Sequence, residues 1–203
     1  MGNEAQELLV VQDLHTDFIH QTSFSLPFSS CLGLHGKSGS GKTLLLRAIA
    51  DLDVNDGEVW LENTPRSQFT GPQWRRRVAL LPAESQWWGD VVVEHARDWP
   101  QNLLTALGFS QDVLGWQISR LSSGEKQRLA LVRMLANQPR VLLLDEPTAN
   151  LDAGNIVIVE KIVHDYLQQN RAAAIWVSHD RTQLGRVASR RAEMARGRFS
   201  LEY

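Results

Sequence analysis

Lys42 and Thr43 close an octapeptide, Gly36-Lys37-Ser38-Gly39-Ser40-Gly41-Lys42-Thr43, whose residue types suit one task, the holding of a phosphate chain. Three glycines permit positive φ and close backbone approach, so successive N–H groups can line a concave anion-binding nest. The Lys42 ammonium is spaced to reach terminal phosphates. The Thr43 hydroxyl is spaced to join the coordination shell of a Mg²⁺ ion held between the last two of them. A chance match in a glycine-containing turn is the competing reading. The flanks argue against it, because the apolar run Cys31–His35 before the loop and residues 44–50 after it read as strand, loop and helix. That context places the positive end of a helix at the phosphates.

A second group of reactive side chains follows residues 141–144, a continuous apolar run typical of a strand buried on both faces. It ends in Asp145-Glu146-Pro147-Thr148. In an open parallel sheet the carboxyl edge is where ligands bind, so Asp145 is assigned to Mg²⁺ through its water shell and Glu146 to orienting or deprotonating an attacking water. A solvated pair at a strand end is the alternative. The next apolar run, residues 172–177, delivers Ser178-His179-Asp180 to the same edge. A lone histidine there is commonly structural, and a contact to the terminal phosphate is the functional reading. Upstream, Leu121-Ser122-Ser123-Gly124-Glu125 opens a helix running through Ala136, with Ser122 and Glu125 spaced as a capping box. By itself that is a capped helix start.

These side chains need a framework, and the pattern supplies one. Short strands are expected at residues 8–14, 23–28, 58–61 and 78–81, a long helix at 152–169, and a terminal hairpin at 190–201 turning at Arg196-Gly197. A small helical insert is expected at about residues 90–120, clearest between Pro100 and Gly108. Strands alternating with helices around the glycine loop predict an α/β fold with a mostly parallel sheet and an antiparallel β portion, one domain spanning residues 5–203. Phe18 is the aromatic placed either to stack on an adenine ring or to pack between two strands. Trp87 and Trp88 sit in a polar loop, and adjacent residues of extended backbone point to opposite sides. Either one packs inward while the other anchors a partner, or both are buried. Arg75-Arg76-Arg77 read as a solvated turn.

Bulk composition narrows the class. At 203 residues, 43% hydrophobic and 22% charged with net charge −2, the chain falls among ordered soluble domains and carries no basic block of the kind that binds nucleic acid. No apolar run approaches the length needed to cross a bilayer, so a membrane role is expected to be peripheral. The acidic start lacks the features of a secretory signal, and the single Cys31 lies in an apolar strand, which suits a buried thiol in a reducing, cytoplasmic compartment.

A glycine phosphate loop, then LSSGEKQR, then VLLLDEPTANLD, then a histidine after a strand, in that order over nearly the whole chain, resembles the ATP-binding cassette ATPases. The resemblance implies a P-loop NTPase core with a RecA-like sheet, and ATP with Mg²⁺ as cofactors. It also implies that Ser122, Ser123, Gly124 and Glu125 form a signature capping ATP on the phosphate loop of a second copy in a head-to-tail dimer. Asn150-Leu151-Asp152 matches the family's D-loop and His179 its switch histidine. Two signature positions depart from the LSGGQ pattern, Ser123 for glycine and Glu125 for glutamine. Ala83 stands where the family has a lid glutamine, with Glu84 and Gln86 nearby as substitutes. A narrower resemblance, through AAAIWVSHD and LVRMLANQPRVLLLDE, is to small ATPase subunits of metal-export-type transporters. The implied function is the energy-coupling subunit of a membrane transporter, docked at the cytoplasmic membrane face on a separate transmembrane permease. The alternative is a soluble cassette ATPase of cluster assembly or repair.

Overall fold

A computed structural model describes residues 7–202, so the N-terminal residues 1–6, read above for targeting signals, and Tyr203 lie outside the described residues. Strand β1 (Glu7–His15) pairs antiparallel with β2 (Thr22–Pro27), and its inward side chains Leu9, Val11 and Leu14 are buried. Strand β3 (Cys31–His35), buried along its length, feeds the glycine loop and helix α1 (Lys42–Ile49). Strand β4 (Asp56–Leu61) joins the other side of β1 and carries the two-residue β5 (Thr64–Pro65), giving an antiparallel sheet in the order β2-β1-β4-β5.

Helix α2 (Gly71–Arg77) corrects one expectation. Arg75-Arg76-Arg77 form its exposed last turn, not a loop, where cations face the carbonyl end of the helix. Two local causes fix it. Thr70 and Gln73 make a reciprocal capping box, and Trp74 is fully buried with its indole N–H donating to the Ile49 carbonyl at 2.9 Å.

Strand β6 (Val78–Leu81) begins directly after α2. In the insert, α3 (Gln101–Ala106) is an α-helix, while Val92–His95, Gln111–Gly115 and Ile118–Arg120 are 3₁₀ turns. Gly89, Pro100, Gly108 and Gly115 interrupt that stretch too often for longer α-helical hydrogen bonding to propagate. Helix α4 (Ser123–Ala136), strand β7 (Val141–Asp145), helix α5 (Ala153–Asn170) and strand β8 (Ala173–Val177) follow. After them come helix α6 (Arg181–Val187) and the terminal hairpin of β9 (Arg190–Ala195) and β10 (Arg198–Glu202).

The second sheet runs β10-β9-β3-β8-β7-β6, parallel throughout except for the β9–β10 hairpin. Its faces bury two clusters. One, around Leu34, Leu46 and Ile175, joins the antiparallel sheet through α1; the other, around Leu144, Val132 and Trp176, joins α4, α5 and the insert. Cys31 is buried in the latter, and burial pushes its thiol up to about 12, as for an inert structural cysteine.

Candidate nucleotide site

Parallel pairing of β3, β8, β7 and β6 brings the carboxyl ends of four adjacent strands to one edge. The glycine loop, Ser178-His179, Asp145-Glu146 and Pro82-Ala83 therefore converge there, as ligand sites of open α/β sheets do. A cleft of about 320 Å³ at this edge is lined by Phe18, residues 38–44, Ala83, Asp145, Glu146 and His179.

The loop takes its path from its glycines. Gly41 has φ 108° and caps α1 in the left-handed conformation; a Cβ there would lie 2.8 Å from Ile19 Cδ1 and 3.0 Å from Phe18 Cε1. Phe18 is 46% exposed, so it lines the cleft and is not packed between strands. Lys42 is buried and turns back over the loop, its Nζ donating to the carbonyls of Gly36 at 2.8 Å and Lys37 at 3.2 Å. Burial lowers its ammonium pKa, and the carboxylates of Glu146 and Asp145 pull in the opposite direction. The Ser40 hydroxyl oxygen is buried without a hydrogen-bond partner among the described residues. A concave glycine-lined loop with a buried lysine and an α-helix N-terminus fits a phosphate chain.

Thr43 Oγ1 donates to Asp145 Oδ2 at 2.6 Å across the cleft, joining α1 to the end of β7. Among the described residues no cluster of three or more His, Cys, Asp or Glu side chains could hold a metal. A two-oxygen set of this kind fits Mg²⁺, which takes few protein ligands and keeps water and phosphate oxygens.

Glu146 follows in the left-handed region at φ 48°, its N–H donating to the Val177 carbonyl, which turns the carboxylate into the cleft. His179 Nε2 stands 3.3 Å from Glu146 Oε1, within ion-pair range but without hydrogen-bond geometry. Burial raises the Glu146 carboxyl above the ordinary carboxylate range, while His179 and Lys42 oppose that rise. A half-buried carboxylate with a raised pKa suits the acceptance of a proton near neutral pH.

The structure does not bring every expected residue to this cleft. Glu84 and Gln86 are exposed and lie outside its lining, whereas Ala83 lines it. Gln86 is turned away because its carbonyl accepts from Arg133 and its side-chain amide donates to the Glu84 carbonyl. Ser122, Ser123, Gly124 and Glu125 are outside the lining too. Ser122 caps α4, and Glu125 Oε2 accepts from the Ser122 N–H at 2.8 Å and hydroxyl at 2.7 Å, which lowers the Glu125 carboxyl pKa. A Cβ at Gly124 would come within 2.8 Å of the Asn150 carbonyl, so the helix start and residues 150–152 form one surface.

One hydrogen-bond network next to the site escaped the sequence reading. Thr148, two residues beyond Glu146, hydrogen bonds to buried Gln183, whose Nε2 also donates to Glu160 at 3.0 Å; Arg186 closes on Glu160 at 2.7 Å. Gln183 and Arg186 belong to α6, a helix whose short, mixed sequence carries no clear periodicity. Asp180, which accepts from the Thr182 N–H at 2.8 Å, was its one legible start signal.

A family model described as "ABC transporter" matches residues 19–149. The aliphatic sulfonates import ATP-binding protein SsuB 2 of Agrobacterium fabrum is 30% identical over 195 residues, 92% of this chain and 74% of that protein. The probable iron export ATP-binding protein FetA of Escherichia coli is 30% identical over 179 residues, 82% of this chain and 80% of that protein. Among solved structures, a bacterial Atm1-family ABC exporter with ATP bound superimposes with a TM-score of 0.83 at 17% identity, over 96% of this chain. The chain spans 38% of that exporter's length, and the likeness at this identity is one of fold.

Proposed function

The chain belongs to the ABC transporter family, and from that premise we propose that it is the Mg²⁺-dependent ATP-hydrolysing subunit of a transporter whose membrane-spanning permease is a separate polypeptide. Among the described residues no helix is long and apolar enough to cross a membrane, so the proposed station is peripheral, at the cytoplasmic membrane face. The observation that carries the reading is the convergence of the phosphate loop, Asp145, Glu146 and His179 on one cleft.

In this mechanism the loop N–H groups and Lys42 bind and orient the β- and γ-phosphates, and Thr43 and Asp145 hold the cation. When bound, Mg²⁺ supplies charge neutralisation at the phosphates. Glu146 accepts the proton of the attacking water, and His179, beside it, contacts the terminal phosphate. Phe18 stacks on the base. The proposed site is incomplete in one copy, because the signature at Ser122, Ser123, Gly124 and Glu125 lies outside the cleft of its own chain. We assign it to the ATP held by a second copy, giving two shared sites in a head-to-tail dimer. Residues 5–203 form one ATPase unit in this reading, with the 90–120 insert leading into the signature at the start of α4.

Sedimentation with saturating ATP and Mg²⁺ tests it. The Glu146→Gln protein is expected to hold ATP and accumulate as a dimer, and adding Ser122→Arg should return it to monomer by crowding the partner's phosphates. Lys42→Ala should lose ATP binding itself. Persistence of monomer in the Glu146→Gln protein under saturating ATP, with its binding intact, overturns the shared-site reading.

A further inference from the structure

Beside the phosphate cleft lies a second hollow of about 430 Å³, lined by Phe18, residues 37–40 and residues 193–196. Phe18, Ser38, Gly39 and Ser40 line both, so the two are continuous around the Phe18 ring. Its far wall is the turn between β9 and β10. Three contacts fix that turn: the Gly197 N–H donates to the Ser40 carbonyl at 2.9 Å, the His20 N–H donates to the Gly197 carbonyl at 2.8 Å, and a Cβ at Gly197 would collide with the Phe18 carbonyl. Glycine is therefore required at 197, with φ 78°, for the turn to approach this closely.

Lys37, Glu193 and Arg196 give this wall its chemistry. All three are exposed, and none takes part in an ion pair among the described residues, whereas Arg191, on the same strand as Glu193, pairs with Glu202. An aromatic face flanked by a donor fork and a carboxylate acceptor is the combination that takes a nucleoside: the ring stacks, the guanidinium donates to base acceptors, and the carboxylate accepts from ribose hydroxyls or an exocyclic amine.

Resting on the reading that phosphates bind the glycine loop, we propose that the terminal hairpin turn is the nucleoside-end wall of the site, with Arg196 and Glu193 as its specificity-determining contacts. The phosphate loop then sets affinity for the triphosphate and the hairpin sets preference for what is attached to it.

Calorimetric titration with two probes, ATP and inorganic triphosphate, separates these contributions. Arg196→Asn is the chosen variant because Arg196 has φ 49°, a conformation asparagine adopts readily; Glu193→Gln is the second, in a strand position that tolerates it. Each variant should bind ATP about tenfold more weakly while its triphosphate affinity stays within twofold of the parent. Unchanged ATP affinity in both variants overturns the inference. Parallel loss of triphosphate affinity overturns it as well, since the turn would then act on the loop through Gly197. A parent protein that binds neither probe removes the phosphate-site reading on which the inference rests.

Discussion

Thr43 and Asp145 meet across the cleft at 2.6 Å, hydroxyl to carboxylate, although 102 residues separate them in sequence. The bond fixes the start of α1 against the end of β7 and holds two oxygens ready at the place proposed for Mg²⁺. Asp145→Asn keeps the shape and the hydrogen-bonding capacity but removes the charge. ATP hydrolysis by this variant should need a Mg²⁺ concentration at least tenfold higher for half-maximal rate, measured by magnesium titration at fixed ATP. Chelation of divalent cations should abolish turnover in the parent. Identical magnesium curves for parent and variant would remove Asp145 from the metal site.

Glu146 carries a prediction in pH. Its carboxyl titrates above the ordinary carboxylate range because burial disfavours the charged form, with His179 and Lys42 opposing. A folded-state pKa raised above the unfolded value contributes stability that is fully present below the unfolded pKa and is lost as pH rises through the folded one. Glu146→Gln, which cannot ionise, should therefore raise the melting temperature at neutral pH and lose that advantage near pH 4. Its turnover should fall by roughly 10²–10⁴-fold, the usual loss for a general base. In the parent, the acid limb of the rate profile should lie above the range of an exposed glutamate. Calorimetric melts from pH 4 to 8 and a pH–rate profile check both statements, and a variant with parental activity would refute the role.

The Thr148–Gln183–Glu160–Arg186 network ties the loop bearing Glu146 to the helix that begins just after His179. Gln183 is a positioning residue in this account. Gln183→Leu leaves Thr148 and Glu160 short of partners in a buried setting, at about 1–3 kcal/mol of stability. A purely structural role would lower folding stability alone. A positioning role should also lower kcat about tenfold with KM for ATP unchanged, and the kcat–KM split is the measurement that decides.

How far all this was legible depends on where the determining interactions lie. The β7 strand and its Asp145-Glu146 end were readable because burial on both faces leaves a run of aliphatics that few other environments demand, and the long helix expected at 152–169 stands as α5 (Ala153–Asn170), its start capped by the Asp152 side chain. Helix α2 was not, since its existence turns on Trp74 reaching into the core beside Ile49, a contact 25 residues apart that periodicity over seven residues does not reveal. Ala83 lines the cleft, while Glu84 and Gln86, the two residues offered in its place for the glutamine of the family pattern, lie outside its lining. Arg133, on α4, holds the Gln86 carbonyl and lies over the rings of Trp87 and Trp88, which turns that loop away from the cleft. Convergence of four strand ends could be inferred from order alone, whereas the hairpin's approach to Phe18 depends on the backbone geometry of Gly197.

The paired tryptophans divide as alternating backbone directions predict. Trp87 is half-buried, its indole N–H donating to Ser85 Oγ at 3.2 Å and its ring under the Arg133 guanidinium at 4.6 Å; Trp88 is 71% exposed. The buried His95 fixes the backbone of both, its Nε2 accepting from the N–H groups of Trp88 at 3.0 Å and Gly89 at 2.9 Å, so Trp88 is presented outward on a rigid base. Beside it runs a groove of about 380 Å³ lined by Leu52, Arg75, Arg76, Leu81, His95 and Arg133 among others. An exposed tryptophan at the rim of a partly apolar, arginine-lined groove has the composition of a binding hot spot. Trp88→Ala should leave folding and basal ATPase activity near parental values. It should weaken association with the permease by about 2 kcal/mol or more, a loss of roughly thirtyfold. Trp87→Ala should instead lower the melting temperature, because it removes a packed ring from beneath Arg133 and exposes a cluster partly held by it. Purification of each variant from membranes, with mass spectrometry of the integral protein bound to it, reads the first effect, and thermal melts read the second. Parental permease recovery with Trp88→Ala, or unfolding of both single variants, would end the assignment of this loop to docking.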